Sequence, residues 1–579
     1  MSFWKYDKEW ADGTTDLSVE LHCYRYDHDV DEGGLGQVGH MTNAIKTLFP
    51  ERLPNGRRGC VWHPWLERRV ECWCNVTARR LKAPEDWYCW FGPASAGKTA
   101  DAAVIALVDW LAGYDCTTTI VCSTTIKMLK KRIWGEVLRY YTLYGGQLPG
   151  TYQKSSLAIL SNPDGEFKNG IHGIAIQQGT VEEAMGDLIG VHNDRVRLII
   201  DEAQATREAA FEATENLSAN PDFKLLAMGN PQSHLDPLGR YSEPDLGGGW
   251  AAVSPAMPEW PTKYGVTLFF DGRKSPGIQE PKRLSFLLQQ KQIEETIARR
   301  GEDSPYMWTF RIGFPPPEGL LHTIITESML VKFHMRDPAV WKYPPQRGAG
   351  LDPSFSNGGD RCILAPYEFG ELITGEMAIL FLPYIHIKLA IAKDKPITYH
   401  IQERVQEECE ELGIRPSDLG IEVSGTQGSL ADVIEREWGP GVHRVKFQGS
   451  ATNRPVSRED PTPASKAYSN RVTELWFNFS LFARYGQVRG MCLDSAREFT
   501  QRLVVEDKQP QQIEPKRAMR ARLGISPDIA DAQVTALDHL IHRHGILPGE
   551  GVDFSPQNED DFYRDVDVDS KPAYVSEPF

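Results

Sequence analysis

Residues 92–99, Gly92-Pro-Ala-Ser-Ala-Gly97-Lys98-Thr99, fit the pattern G-x-x-x-x-G-K-[ST] and lie between an apolar run and a helical one. Glycines let backbone N–H groups wrap a polyphosphate, and a following helix N-terminus adds positive potential. Lys98 then reaches the β and γ oxygens, and Thr99 offers a hydroxyl to magnesium. The candidate nucleotide contacts are therefore Gly92, Ser95, Ala96, Gly97, Lys98 and Thr99. Leu198-Ile-Ile-Asp201-Glu202 is an apolar run delivering two carboxylates at its end. Downstream of a phosphate loop, Asp201 suits the magnesium shell and Glu202 the polarisation of an attacking water. Asn230, in Ala227-Met-Gly-Asn230-Pro231, reads either as a γ-phosphate sensor or as a turn-forming Asn-Pro.

A second set of acids is spread over the C-terminal half: Asp352 in GAGLDPS, Glu422 in GIEVSG, and Asp528 with Asp531 in SPDIADA. The last two are spaced i,i+3 and share a face if SPD starts a helix. Converging carboxylates of this kind hold two magnesium or manganese ions for phosphodiester cleavage. Each also has a plainer reading: Asp352 as a turn residue before proline, Glu422 as a solvated strand residue, Asp528 as a helix cap with Ser526. Lys516, Arg517, Arg520 and Arg522, with Arg454, Arg458, Lys466 and Arg471, flank these acids. They read as contacts to a DNA backbone or as solvated faces. Cys60, His63, Cys72 and Cys74 have ligand chemistry, but the interleaved Trp62, Trp65 and Trp73 favour core packing over zinc.

The elements that must position these groups are legible in outline. From residue 86, DWYCWFG, TADAAVIALVDWLAG, TTTIVCS and KMLKKRIWGEVLRYY alternate strand and helix, the pattern of a parallel sheet covered by helices. HGIAIQQG, RVRLIIDEA and FKLLAMGNP continue it, and RLSFLLQQKQIEETIARR (283–300) reads as an amphipathic helix. GFPPPEG (313–319) marks a boundary. Beyond it come a second strand set, helices near 400–412, 466–485 and 528–543, and a polar loop over 448–466. The expected organisation is an irregular segment over 1–59, a P-loop α/β domain over 60–312, a linker over 313–340, a second α/β domain over 341–545 and an acidic disordered tail over 546–579.

The 579 residues exclude a single small module, and 41% hydrophobic with 25% charged residues is ordinary for a globular chain. No apolar run is long enough for a membrane helix and no secretory leader is visible, so a cytosolic protein is expected. The ten cysteines are too irregularly spaced for a disulfide framework and read as reduced thiols. The net charge of −16 argues naively against DNA, yet residues 546–579 hold nine acidic and two basic residues, so almost half of it lies in the tail, which reads as a docking segment.

The order of these motifs resembles the large terminase subunit of tailed bacteriophages over about residues 60 to 545. It is carried by GPASAGKT, STTIKMLKKRIWGE, GTVEEAMGDLIGVH before RLIIDEA, and AMGNP, then by GLDPS, IEVSGTQGSLADVIE, AYSNRVTELW and GISPDIADA. The resemblance implies a P-loop ATPase of the RecA/ASCE type joined to an RNase H-like nuclease. ATP and Mg2+ serve the first site, with Mg2+ or Mn2+ at the second. It also implies translocation of double-stranded DNA through a portal into a procapsid, cutting of concatemers into genome units, and a small terminase subunit as partner. A ring of copies on the portal, and the cytoplasm of the infected bacterium, follow in the same way. Residue by residue, Lys98, Thr99 and Asp201 become phosphate and metal contacts, Glu202 the catalytic carboxylate and Asn230 part of the coupling motif. Asp352, Glu422, Asp528 and Asp531 become the nuclease metal set. Many members carry an arginine inside the P-loop; here Pro93, Ala94, Ser95 and Ala96 stand there, leaving Arg79, Arg80, Arg132 or a neighbouring subunit as the source. The alternative is a P-loop helicase or translocase with a non-catalytic C-terminal binding domain.

Overall fold

The computed structural model describes residues 17–26, 36–53, 55–143, 148–162, 169–176, 191–206, 211, 214, 216–355, 360–388, 396–424, 428–505, 508–523 and 526–550. It divides into two units, Met1–Leu320 and Leu321–Phe579, with the division falling inside the stretch read as a linker.

The first unit is built on a nine-stranded sheet. Its strands are β1 (Trp87–Phe91), β2 (Thr117–Ser123), β3 (Thr151–Gln153), β4 (Ala158–Leu160), β5 (Gly170–Ala175), β6 (Arg195–Asp201), β7 (Asp222–Gly229), β8 (Glu259–Pro261) and β9 (Gly265–Phe269). They lie in the order β3-β4-β5-β2-β6-β7-β1-β9-β8. The six strands from β5 across to β9 in this order are parallel, and the short strands at either edge pair antiparallel. Both faces are covered, which is why β1, β2 and β6 are buried along their whole length and β1 and most of β6 read as apolar runs. The exceptions in β6, Arg195 and Arg197, are buried because each pairs with Asp109 at 2.9 Å and both reach Asp222.

Residues 1–59, expected to be irregular, contain two helices, α1 (Leu17–Tyr26) and α2 (Gly36–Leu48). Leu17, Leu21, Met41, Ile45 and Leu48 of these helices join the main core, so apolar spacing too sparse to stand out still forms a packed face. Next come α3 (Pro64–Trp73), α4 (Lys98–Ala112), α5 (Ile126–Lys131) and α6 (Ile133–Tyr141). The amphipathic stretch at 283–300 is helical only from Gln290, where Gln289 and Gln292 form a reciprocal capping box.

The second unit holds β10 (Gln346–Asp352), β11 (Ile363–Glu371), β12 (Met377–Phe381), β13 (Ile385–His386), β14 (Leu419–Glu422), β15 (His443–Val445) and β16 (Val488–Arg489). The sheet order is β15-β14-β10-β11-β12-β16, with β13 on β11. A β10-β11-β12 antiparallel meander is extended by β14 and β15, parallel to β10, which is the RNase H-like arrangement. Its helices include α7 (Ile397–Glu411), α8 (Gly428–Glu437), α9 (Arg471–Arg484), α10 (Leu493–Thr500), α11 (Lys516–Leu523) and α12 (Asp528–His544). Helix α12 is buried from Asp528 to Ile541 and ends at Gly545, whose φ of +67° suits a glycine stop. It lies close against the sheet because two strand positions are glycine. A Cβ on Gly350 would sit 2.3 Å from Ala532 O, and one on Gly420 would sit 2.8 Å from His539 Cβ.

Candidate functional site

In the first unit, parallel pairing brings the ends of β1, β2, β6 and β7 to one edge of the sheet, and β7 lies between β1 and β6. The phosphate-loop residues, Asp201, Glu202 and Asn230 therefore share that edge. The loop turns through left-handed backbone at Ser95 (φ +64°) and Gly97 (φ +78°) and opens α4 at Lys98. It is held from behind: Ala94 N donates to Phe310 O at 3.1 Å and Leu288 N to Ser95 O at 2.9 Å. A Cβ on Gly313 would lie 2.4 Å from Gly92 C, so this glycine, outside the expected domain, closes the loop's back wall.

Lys98 is buried and donates to Gly92 O at 2.8 Å and Pro93 O at 3.0 Å. Burial, reinforced by the nearby Arg69 cation, brings its pKa down to about 7. Thr99 Oγ1 donates to Asp201 Oδ1 at 3.3 Å. Burial pushes the Asp201 carboxyl up to about 6, against the pull of Arg132, Lys98 and Thr99. Asp201 Oδ2 is buried and accepts no hydrogen bond among the described residues, so this carboxylate with the Thr99 hydroxyl fits a hard divalent cation. Asn230 Nδ2 donates to Gly92 O at 3.1 Å, which ties the tip of β7 to the loop. Glu202 has left-handed backbone (φ +58°); one carboxylate oxygen pairs with Arg132 and the other accepts from Gln204 Nε2 at 2.5 Å.

The three candidate arginines separate. Arg79 pairs with Glu85 and Arg80 with Glu259, acids beside the starts of strands, whereas Arg132 reaches Glu202. Sequence reasoning misses Arg69: fully buried on α3, it donates to Ala96 O at 3.0 Å, pairs with Asp101 and lies over the Phe270 ring at 4.2 Å. Nothing in the sequence near it signals a phosphate loop. His63 is buried and caps α3, accepting from Leu66 N at 3.1 Å, and Cys60, Cys72 and Cys74 belong to the hydrophobic core, where burial pushes their thiols up to about 12. The segment GTVEEAMGDLIGVH lies almost wholly outside the described residues.

In the second unit, register places Leu351 beside Ile421, so Asp352 and Glu422 follow at neighbouring strand ends. The close approach of α12 brings Asp528 and Asp531 to them, and all four are buried. The carboxylates of three meet at the ammonium of Lys516, which lies 3.3 Å from Asp352 Oδ2, 3.1 Å from Asp528 Oδ1 and 3.1 Å from Asp531 Oδ2. Burial opposes the charged form of Lys516, but the carboxylates outweigh it and hold its pKa well above the usual lysine range. Burial also drives the Asp352 carboxyl well up, with Lys516 opposing and the neighbouring acids adding to the rise, and burial raises Glu422. Among the described residues no group of three or more His, Cys, Asp or Glu side chains has the spacing of a metal site. The donor set itself, carboxylates around one cation, has the chemistry that hard divalent ions take.

A supporting layer surrounds the acids. Arg361 N and Nε donate to Asp528 Oδ2 at 2.9 and 3.3 Å, and its Nη2 pairs with Glu498 at 2.7 Å. Glu498 in turn accepts from Ala530 N at 2.8 Å, and burial pushes its carboxyl up to about 8. Trp476 Nε1 donates to Asp531 Oδ1 at 3.1 Å. Of the basic residues read as backbone contacts, Lys516 belongs to the acid cluster and Arg471 is committed to Glu474 and Asp538. Arg454 reaches Asp538, Arg520 pairs with Asp360 and Arg522 with Glu514, while Arg458, Lys466 and Arg517 are exposed or half-exposed.

Over most of its length the chain is similar to bacteriophage large terminases. The HK97 bacteriophage large terminase matches at 12% identity and a TM-score of 0.35, covering 86% of this chain and 99% of that one. The large terminase of a thermophilic bacteriophage, in complex with ADP, matches at 12% identity and 0.32, covering 83% and 99%. The nuclease domain of the large terminase subunit gp2 of bacterial virus Sf6 matches at 14% and 0.29, covering 37% of this chain and 98% of that domain. No protein-family model and no curated protein matches the chain.

Proposed function

We propose that the chain is the large subunit of a viral DNA-packaging motor, an ATPase that moves double-stranded DNA through a portal into a procapsid and a nuclease that cuts concatemers. The observation that carries this reading is the presence of two acid sites, one per unit: Asp201 and Glu202 beside a phosphate loop, and Asp352, Asp528 and Asp531 around Lys516 with Glu422 at the neighbouring strand end. A translocase alone needs only the first.

In the ATPase, Gly92, Ser95, Ala96 and Gly97 present backbone to the phosphates and Lys98 turns from the Gly92 and Pro93 carbonyls to the β and γ oxygens. Thr99 and Asp201 would hold Mg2+, Glu202 accepts the proton side of the attacking water, and Asn230 links the loop to the end of β7. In the nuclease, Asp352, Glu422, Asp528 and Asp531 would hold Mg2+ or Mn2+, which supply water activation and charge stabilisation in phosphodiester hydrolysis. Arg361 and Glu498 fix Asp528 and the start of α12, and Arg458, Lys466 and Arg517 are the cations left to meet the DNA backbone. Portal, small terminase subunit and a ring of copies complete this reading.

A second reading, a P-loop translocase whose C-terminal unit only binds partners, draws support from Lys516, since an ammonium among three carboxylates is also how a purely structural cluster is neutralised. Supercoiled plasmid with Mg2+ or Mn2+ separates the two. Cutting by the full chain that is lost in D352A, with ATP hydrolysis retained, supports the nuclease; no cutting by the unaltered chain supports the binding module.

A further inference from the structure

Three of the four acids of the second unit have one carboxylate oxygen tied off by a neighbour. Trp476 Nε1 donates to Asp531 Oδ1 at 3.1 Å, Arg361 N and Nε donate to Asp528 Oδ2, and Ser424 N donates to Glu422 Oε1 at 3.0 Å. For the two aspartates the other oxygen, Asp531 Oδ2 or Asp528 Oδ1, faces the Lys516 ammonium at 3.1 Å. Behind Asp531 stands a second cation. The Arg502 guanidinium lies over the Trp476 ring at 4.7 Å, the residue is 2% exposed, and its Nε and Nη1 donate no hydrogen bond among the described residues. Glu514, whose charge it feels, is already taken by Arg522 and Leu503 N. An arginine stays charged inside a protein, and a buried charge without an ion pair is costly. The indole face, with the carbonyl end of α10 that Arg502 follows, offsets that cost. Trp476 therefore has its face held by a cation and its N–H on a carboxylate, and its ring cannot turn without losing both.

We propose that Trp476 and Arg502 are positioning residues that hold Asp531 to a single inward-facing oxygen, and that this restraint makes the acid cluster select Mg2+ or Mn2+ over Ca2+. This rests on the reading of the four acids as a metal set. Ca2+ takes more oxygen ligands in a flexible arrangement and accepts both oxygens of one carboxylate, whereas Mg2+ demands near-octahedral geometry. A carboxylate free to rotate offers its second oxygen to the larger ion; one pinned by an N–H does not. Arg502 as a bare charge would act on both divalent ions alike. The preference between the two ions therefore separates the restraint from simple electrostatics.

The test uses the full chain without nucleotide, follows bound Mn2+ by electron paramagnetic resonance, and displaces it with Mg2+ or with Ca2+. Mn2+ held by the unaltered chain and missing from D352A belongs to this site. W476F, which removes the N–H donor, is expected to lower the preference for Mg2+ over Ca2+ about tenfold. R502M, which removes the stacked cation, is expected to lower it in the same direction. An unchanged preference in either folded variant overturns the proposal, and R502M decides the matter if W476F does not fold. The two failures are distinct: absence of Mn2+ that D352A removes contradicts the metal reading and the restraint with it, whereas such Mn2+ with an unchanged preference contradicts the restraint alone.

Discussion

Lys98 is an ammonium held by two backbone carbonyls, and its lowered pKa of about 7 gives the phosphate loop a measurable proton linkage. The free protein loses this proton as pH rises through about 7, whereas a bound polyphosphate favours the charged form. ATP affinity is therefore expected to fall above about pH 7, by up to about tenfold per unit for one linked proton, with proton uptake on binding. Calorimetry in two buffers of different ionisation enthalpy reads that uptake directly, and its absence between about pH 7.5 and about pH 8.5 would contradict the Lys98 assignment. Lys516 gives a second prediction. Removing it in K516A leaves three carboxylates without their counter-charge, at a cost of about 2 kcal/mol, below the ~3–5 of a fully buried pair because the lysine is partly exposed. Melting in chelator is expected to drop, and Mg2+ should recover more stability in K516A than in the unaltered chain. The four acids and the loop are legible because their chemistry is written in short motifs. Lys516 as a counter-charge, Arg361, Glu498, Arg69 and Gln204 are not, since each acts through a contact that only the fold creates.

At the scale of elements, the second site depends on a helix lying close to a sheet. The Gly350 Cβ position is 2.3 Å from Ala532 O and from Ala536 N, so G350A must push α12 outward or bend β10. An overpacking cost of about 1–3 kcal/mol is expected, seen in urea unfolding, together with reduced DNA cutting and retained ATP hydrolysis. Equal loss of both activities would place the damage elsewhere. The strands β1, β6, β7 and β14 are legible as mainly apolar runs with polar ends, because burial favours apolar side chains, whereas β2 opens on three threonines and β10 on an exposed Gln-Arg followed by glycines. The break at Arg132 is not, because periodicity persists across it: Leu129 and Ile133 are both buried at helical spacing. Helices α1 and α2 escape for the opposite reason, with glycine and charge diluting the few apolar residues that reach the core.

At the scale of the whole chain, the net charge of −16 is distributed rather than uniform. Much of the acid inside the units is committed: Asp109 and Asp222 to arginines in the first, Asp528 and Asp531 to Lys516 in the second. Of the tail, residues 546–550 pack on the second unit through Gln487, whose Nε2 donates to Glu550 O at 2.9 Å, and residues 551–579 lie outside the description. Each unit carries its own hydrophobic core and its own acid site, so the two chemistries should fail independently. The measurement that tests this most directly pairs ATP hydrolysis with metal-dependent plasmid cutting in full-length K98A and D352A, each checked for folding. K98A is expected to lose hydrolysis and keep cutting, and D352A to lose cutting and keep hydrolysis; loss of both activities in either folded variant would contradict the two-site account.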